Sequence, residues 1–212
     1  VMGNHSLAIQ SMKKNVHFEQ RLTNRSYVAN ELLSSNESID LDRFIEIKFD
    51  NSYSKNSRQY KYLESVAQND RNLELILQNW NRKTDLNNTD AALGMCLMAQ
   101  EWISEMNSKP TPSYKSAKQE CDNLFQKIQR NYTDQWGLIN TISRDSRTFP
   151  IQGSVDTLRA VYGAPNAKTK SLNMSGGDGL FFIIAEDDFG KTIYGMHNYG
   201  SSRNESSVHY SD

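Results

Sequence analysis

The apolar pattern of this chain changes period once, and that change limits the folds open to it. Up to about residue 134, hydrophobic residues recur at helical spacing. Beyond that point glycines become frequent and short apolar runs of strand length appear. A helical first part followed by a β-rich second part predicts an α+β fold. The regions run from 1 to 134 and from 135 to 212.

Within the first region the spacing predicts helices over 24–34, 41–49, 57–69 and 71–83, a fifth running through Leu93, Met95, Leu97, Met98, Trp102 and Ile103, and a sixth over 114–132. Asp40 is the expected cap of the second, Asn69 or Asp70 the break before the fourth, and Thr89 or Asp90 the cap of the fifth. Pro110 and Pro112 bar a simple continuation of that fifth helix. In the second region, 155–162 reads as a strand or a short helix. The run Leu180 to Ala185 reads as a strand buried on both faces. Glu186 to Gly190 then reads as a hairpin turn, with KTIYGMH as the returning strand.

With 24 basic and 25 acidic residues the formal net charge is −1. Neutralising nucleic-acid phosphates needs a basic excess or stripe, so no nucleic-acid partner is expected. No run of eighteen apolar residues exists, so no membrane span is expected. The start, VMGNHSLAIQSMKKN, lacks the apolar stretch of a signal peptide. Apolar content is 37%, low for a self-contained globule. Either the surface is unusually polar, or part of the natural core comes from polypeptide outside this sequence.

Cys96 and Cys121 fall in separate helices, and two cysteines define neither a disulfide framework nor a metal site. They are expected as buried free thiols. The phosphate loop, the HExxH zinc pair, CxxC and the GxSxG elbow are all absent. GGDG at 176–179 precedes a strand instead of following one, so it suits a tight turn or a close backbone approach, not a pyrophosphate cradle. The histidines His5, His17, His197 and His209 show no i, i+4 pairing, so no metal and no cofactor are implied. The acidic pairs Asp187/Asp188 and Asp40/Asp42 read as a solvated loop and a helix start. A two-carboxylate hydrolase would need a cleft between its acids, roughly 5–10 Å across.

Arg25 stands at the start of the first helix, where the helix field favours anions over cations. It is either a bland surface residue or an arginine fixed by a salt bridge that holds other polar groups. Arg144, Arg147 and Arg159 bracket a glycine- and aspartate-bearing stretch that bidentate arginine bonds could staple.

Three blocks carry a resemblance. RLTNRSYVANELL at 21–33 with SIDLDRFIEIKFD at 38–50 forms the first. QWGLINTISRDSRTFPIQGSVDTLRAVYG at 135–163 forms the second. GGDGLFFIIAEDD, GMHNYGSS and SSVHYSD close the chain. In this order they resemble the large chain of penicillin-amidase-type acylases.

That resemblance implies part of an αββα N-terminal-nucleophile hydrolase. In such enzymes a freed amino-terminal serine attacks the amide, its own α-amine acts as base, and an asparagine with a backbone N–H holds the oxyanion. Val1 has neither hydroxyl nor thiol, so the nucleophile is expected on upstream polypeptide of the same precursor. The resemblance matches Arg25 to the family arginine that orients the site. Asn4, 21 residues earlier, matches the oxyanion asparagine in spacing, and otherwise reads as a polar residue in a frayed terminus. The groups Asp156–Arg159 and His209–Tyr210 are assigned to architecture. The implied substrate is a small-molecule linear amide, an acyl-homoserine lactone or a penicillin-like compound. The implied compartment is periplasmic or extracellular. The alternatives are a non-catalytic binding or scaffold module derived from an acylase, and an unrelated hydrolase using His197 or His209 with a nearby acid.

Overall fold

Thr23, Asp40, Ser57, Asp70 and Ser113 each stand one residue before a helix. Each side chain accepts a first-turn backbone N–H that the helix itself leaves unbonded. The computed structural model describes residues 22–34, 38–196 and 202–210. The capped helices are α1 (Asn24–Leu33), α2 (Leu41–Lys48), α3 (Arg58–Ala67), α4 (Arg71–Asn79) and α6 (Tyr114–Ile128). Between the last two lies α5 (Ala91–Met106), which begins at Asp90 with no side-chain cap bond.

Two helices stop a full turn short of the sequence expectation, α4 at Asn79 and α6 at Ile128. After Asn79, Trp80 turns extended and its indole N–H donates to the Lys83 carbonyl at 2.8 Å. Arg82 takes a positive φ, and Lys83 pairs with Ser52 as an isolated bridge, so 80–83 leave the helix. Helix α6 closes at Ile128 because Gln129 adopts the left-handed conformation that ends many helices.

The first eight residues of α5, Ala91 to Met98, are all buried. A helix apolar on every side must sit centrally, and α5 packs against α3, α4 and α6. One core holds Leu63, Leu73, Leu97, Met98 and Ile128, and continues into Trp136, Ile139 and Val155 of the later region. The cysteines are not free thiols. Cys96 of α5 and Cys121 of α6 form a disulfide across 25 residues. Two residues on different helices pair only if packing turns both toward one seam, and spacing along the chain does not say so.

The short helix α7 (Trp136–Ile139) leads into β1 (Asn140–Arg144) and β2 (Arg147–Pro150). With β3 (Val161–Asn166) and β4 (Ser171–Gly177) they form a sheet of order β2-β1-β4-β3. β1 and β4 run parallel and the other neighbours antiparallel. Residues 155–160 are neither strand nor helix but a buried turn, and the strand begins only at Val161. Gly177 shows why the GGDG run is needed. It holds φ +132, and a Cβ there would lie 2.2 Å from the Ala160 carbonyl oxygen.

β5 (Phe181–Asp187) and β6 (Gly190–Met196) make a separate antiparallel hairpin, as expected, with Asp188 and Phe189 at the turn. The expected burial of 180–185 on both faces is not found. Ile183 is 8% exposed, whereas Phe182 is 60% and Ile184 66% exposed. A two-stranded ribbon has one packed face at most, so the alternate side chains point outward. At its root, Lys48 Nζ lies 4.7 Å from the Phe181 ring centroid and 2.7 Å from Asp178 Oδ2. Arg159 meets the same carboxylate oxygen at 3.2 Å.

Candidate functional site

The first turn of α1 brings Arg25 to a buried carboxylate. Asn24 is fully buried, and its backbone N–H donates to Asp156 Oδ2 at 2.8 Å. Arg25 donates through Nε to Asp156 Oδ1 at 3.2 Å. From α3, Gln59 donates through Nε2 to Asp156 Oδ2 at 2.8 Å. One carboxylate thus accepts three donors from two helices. This resolves the oddity of a cation at a helix start. The anion sits where the helix field wants it, and neutralises the arginine in the same contact.

The turn carrying Asp156 is itself held on all sides. Asp156 takes φ +56, a left-handed conformation that aspartate tolerates better than most residues. Thr157 Oγ1 donates within the turn, to the Arg159 carbonyl at 2.7 Å. The Tyr53 hydroxyl donates to the Val155 carbonyl, and burial, then the nearby Asp156 charge, push its ionisation upward. Asn24 Nδ2 donates to the Asp156 carbonyl at 2.9 Å and to Ser52 at 3.0 Å, while its Oδ1 accepts from Ser54 N–H. Trp136 Nε1 donates to the Gly153 carbonyl at 3.0 Å.

Arg25 is 28% exposed, against 3% for Asp156. Its remaining guanidinium edge borders a cavity of about 200 Å³ between Leu22, Gln59, Trp102 and Met106. Across that cavity, Arg58 pairs through Nε with Glu101 at 2.8 Å and through Nη1 with Glu105. The arrangement can present fixed charged donors to a carbonyl or an oxyanion. Among the described residues around the cavity, the one hydroxyl is that of Thr23, which caps α1. None of them forms a nucleophile–base pair.

Asn4 lies outside the described residues, as do His5, His17 and His197. His209 is exposed. Its neighbour Tyr210 is buried under Arg144, whose guanidinium stands 4.0 Å from the ring centroid. Arg144 also donates to the Tyr210 and Ser202 carbonyls, so this arginine does staple loops. Among the described residues no group of three or more His, Cys, Asp or Glu could hold a metal, and no helix is long and apolar enough to cross a membrane.

Sequence reasoning placed Asp156 with the architecture and passed over Asn24 and Gln59. Asp156 had a signal in its Gly-x-x-Asp-Thr setting. Gln59 had none, since a buried glutamine reads in sequence as one more polar helix residue. Residues 1–212 match the family profile described as Penicillin amidase. No curated protein matches the chain.

Proposed function

The chain belongs to the penicillin amidase family, a family of amide-hydrolysing acylases, and on that premise we propose that it is the part of an acylase that positions Arg25. The observation that carries this reading is the buried Asp156 carboxylate, which fixes Arg25 Nε at 3.2 Å and leaves the rest of the guanidinium at a cavity. A charge held in place before substrate arrives costs no reorganisation during reaction, and this is why a fixed donor favours acyl transfer.

In this reading the nucleophile is a hydroxyl at an amino terminus freed on upstream polypeptide of the same precursor. Its α-amine accepts the proton, and Asn4 supplies an oxyanion donor. Arg25 orients the polar groups between them. The substrate is a linear amide with an apolar acyl chain, and an acyl-homoserine lactone fits better than a penicillin-like amide. The exposed apolar side chains of the β5–β6 hairpin support a further layer of polypeptide over it. The Cys96–Cys121 disulfide supports an oxidising compartment, periplasmic or extracellular.

The test is co-expression of the chain with its upstream polypeptide, followed by hydrolysis of a chromogenic acyl anilide. Hydrolysis that needs both polypeptides is expected. Arg25→Ala lowers kcat/KM by about 100-fold, the scale of losing one fixed donor, and Arg25→Lys recovers little because an ammonium lacks the planar fork. Full activity of the 212-residue chain alone would defeat the reading. No activity with any upstream polypeptide would favour the scaffold alternative.

A further inference from the structure

Helices α5 and α6 lie over β3 and β4 without filling the space beneath them. A cavity of about 410 Å³ remains, walled by Met95 and Trp102 of α5, Leu124 and Phe125 of α6, Val161 of β3 and Leu172 of β4. Small-molecule sites span roughly 300–1,000 Å³ and are mostly apolar with a few polar groups. Its polar lining is split: Asn140 and Ser154 are buried in the walls, where the Asn140 amide N–H groups already donate to the Ile151 and Gly153 carbonyls, while Glu120, Asn123 and Lys127 are exposed at the α6 rim. Glu120 and Lys127 are two turns apart on one helix face and opposite in charge. The rim therefore offers donors and acceptors but no net charge. The Trp102 and Tyr162 rings, 5.8 Å apart, also border the cavity.

The walls are not free to collapse. The Cys96–Cys121 disulfide ties α5 to α6, and Cys96 itself lines the cavity. Both helices are also packed on the main core through Leu97, Met98 and Ile128. A void with apolar walls lacks the contact partners that a filled one has, so an apolar guest gains both burial and dispersion. Trp102 is common to this cavity and to the smaller one at Arg25.

We infer that this cavity is a binding site for a small neutral amphiphile. The ligand has an unbranched aliphatic body of medium length and a hydrogen-bonding amide or alcohol head. The body lies between Leu124, Phe125 and Val161. The head stays at the rim beside Asn123. An ionic head gains no net attraction from a rim that holds both Glu120 and Lys127, and it must shed more hydration than a neutral one. The site does not depend on the acylase reading, since its occupancy is measured without turnover.

The test titrates octanamide into the chain and follows calorimetric heat and the fluorescence of Trp102 and Trp136, which both line the cavity. Saturable one-site binding is expected, with octanoate and octylammonium both weaker. Ala99→Phe and Leu124→Phe each place extra carbon on a half-buried wall position. At least one of these fillers that keeps its cooperative melting weakens binding by about tenfold or more. Absence of saturable binding to the folded chain overturns the site. So does binding that both fillers leave unchanged, and tighter binding of octanoate than octanamide overturns the neutral head.

Discussion

The Asp156 turn and the β5–β6 hairpin are built on opposite plans. The turn is polar and buried, and its carboxylate is bonded to three donors. The hairpin is apolar, yet Leu180, Phe182, Ile184 and Ile193 are each at least 60% exposed. A polar knot is stable in an interior only when every group is satisfied, so it specifies one geometry. An exposed apolar ribbon specifies little by itself and gains most from something laid over it. The first plan suits a site that must not move, and the second suits a surface that receives a partner.

Removing the acceptor at the centre of the turn breaks the comparison most severely. Asp156→Ala leaves the buried Asn24 N–H and Gln59 amide, and the Arg25 charge, without their partner. It should cost about 3–5 kcal/mol, the scale for stripping one member from a buried ion pair. Urea unfolding measures it. A cost below about 1 kcal/mol would mean that water or another group takes over the carboxylate's role.

The disulfide comes next, because it stiffens the helical side and leaves the hairpin alone. Its 25-residue separation corresponds to about 3.5 kcal/mol in the chain-entropy account. Joint Cys96→Ala and Cys121→Ala substitution should lower the melting temperature. Hydrogen exchange should quicken in α5 and α6 but stay unchanged in β5 and β6.

Acid should loosen the helical side in a graded way. The Tyr114 hydroxyl donates to Asp70, and that bond holds the Asp70 carboxyl below its ordinary value of 3.8. Asp122 is likewise held low, first by Lys118 and then by Tyr132. A carboxyl lowered by folding contributes stability above its unfolded value and loses it as pH falls through the folded one. The loss therefore sets in as pH falls toward the ordinary carboxyl value of 3.8 and continues below it. Tyr114→Phe should shallow that acid slope, with a neutral-pH cost of no more than about 1 kcal/mol because the pair is partly screened by solvent.

The smallest effect on stability should come from the hairpin. Phe182→Ser with Ile184→Ser removes two exposed apolar groups and should change unfolding by less than about 0.5 kcal/mol. The same change should cut self-association, read by light scattering. A large loss of stability would show that the outer face of the hairpin already packs against the chain, and the contrast with the turn would fail.

Much of the fold was legible along the chain. Asp40 as a cap and Asp70 as a break act on residues three positions away or closer, so both follow from local chemistry, whereas the caps at Thr23 and Ser113 were passed over. The hairpin was legible because an apolar run of strand length and a turn ending in glycine are also local, although its expected burial on both faces was not. The candidate site was legible only in Arg25. Its partner lies 131 residues away, and the separation of Gln59 from Asp156 is 97. No periodicity connects such positions.

By itself, then, the amino-acid order determined six helices, the cap at Asp40, the break at Asp70, the closing hairpin and the single change from helical to strand period. Each of these depends on dihedral preference and on contacts within a turn or two. Tertiary packing decided that Cys96 meets Cys121, that Asp156 is buried beneath the start of α1, and that the outer face of β5 stays open. The physical reason is the same for all three. Each depends on which faces of distant elements come together, and that choice belongs to the whole core.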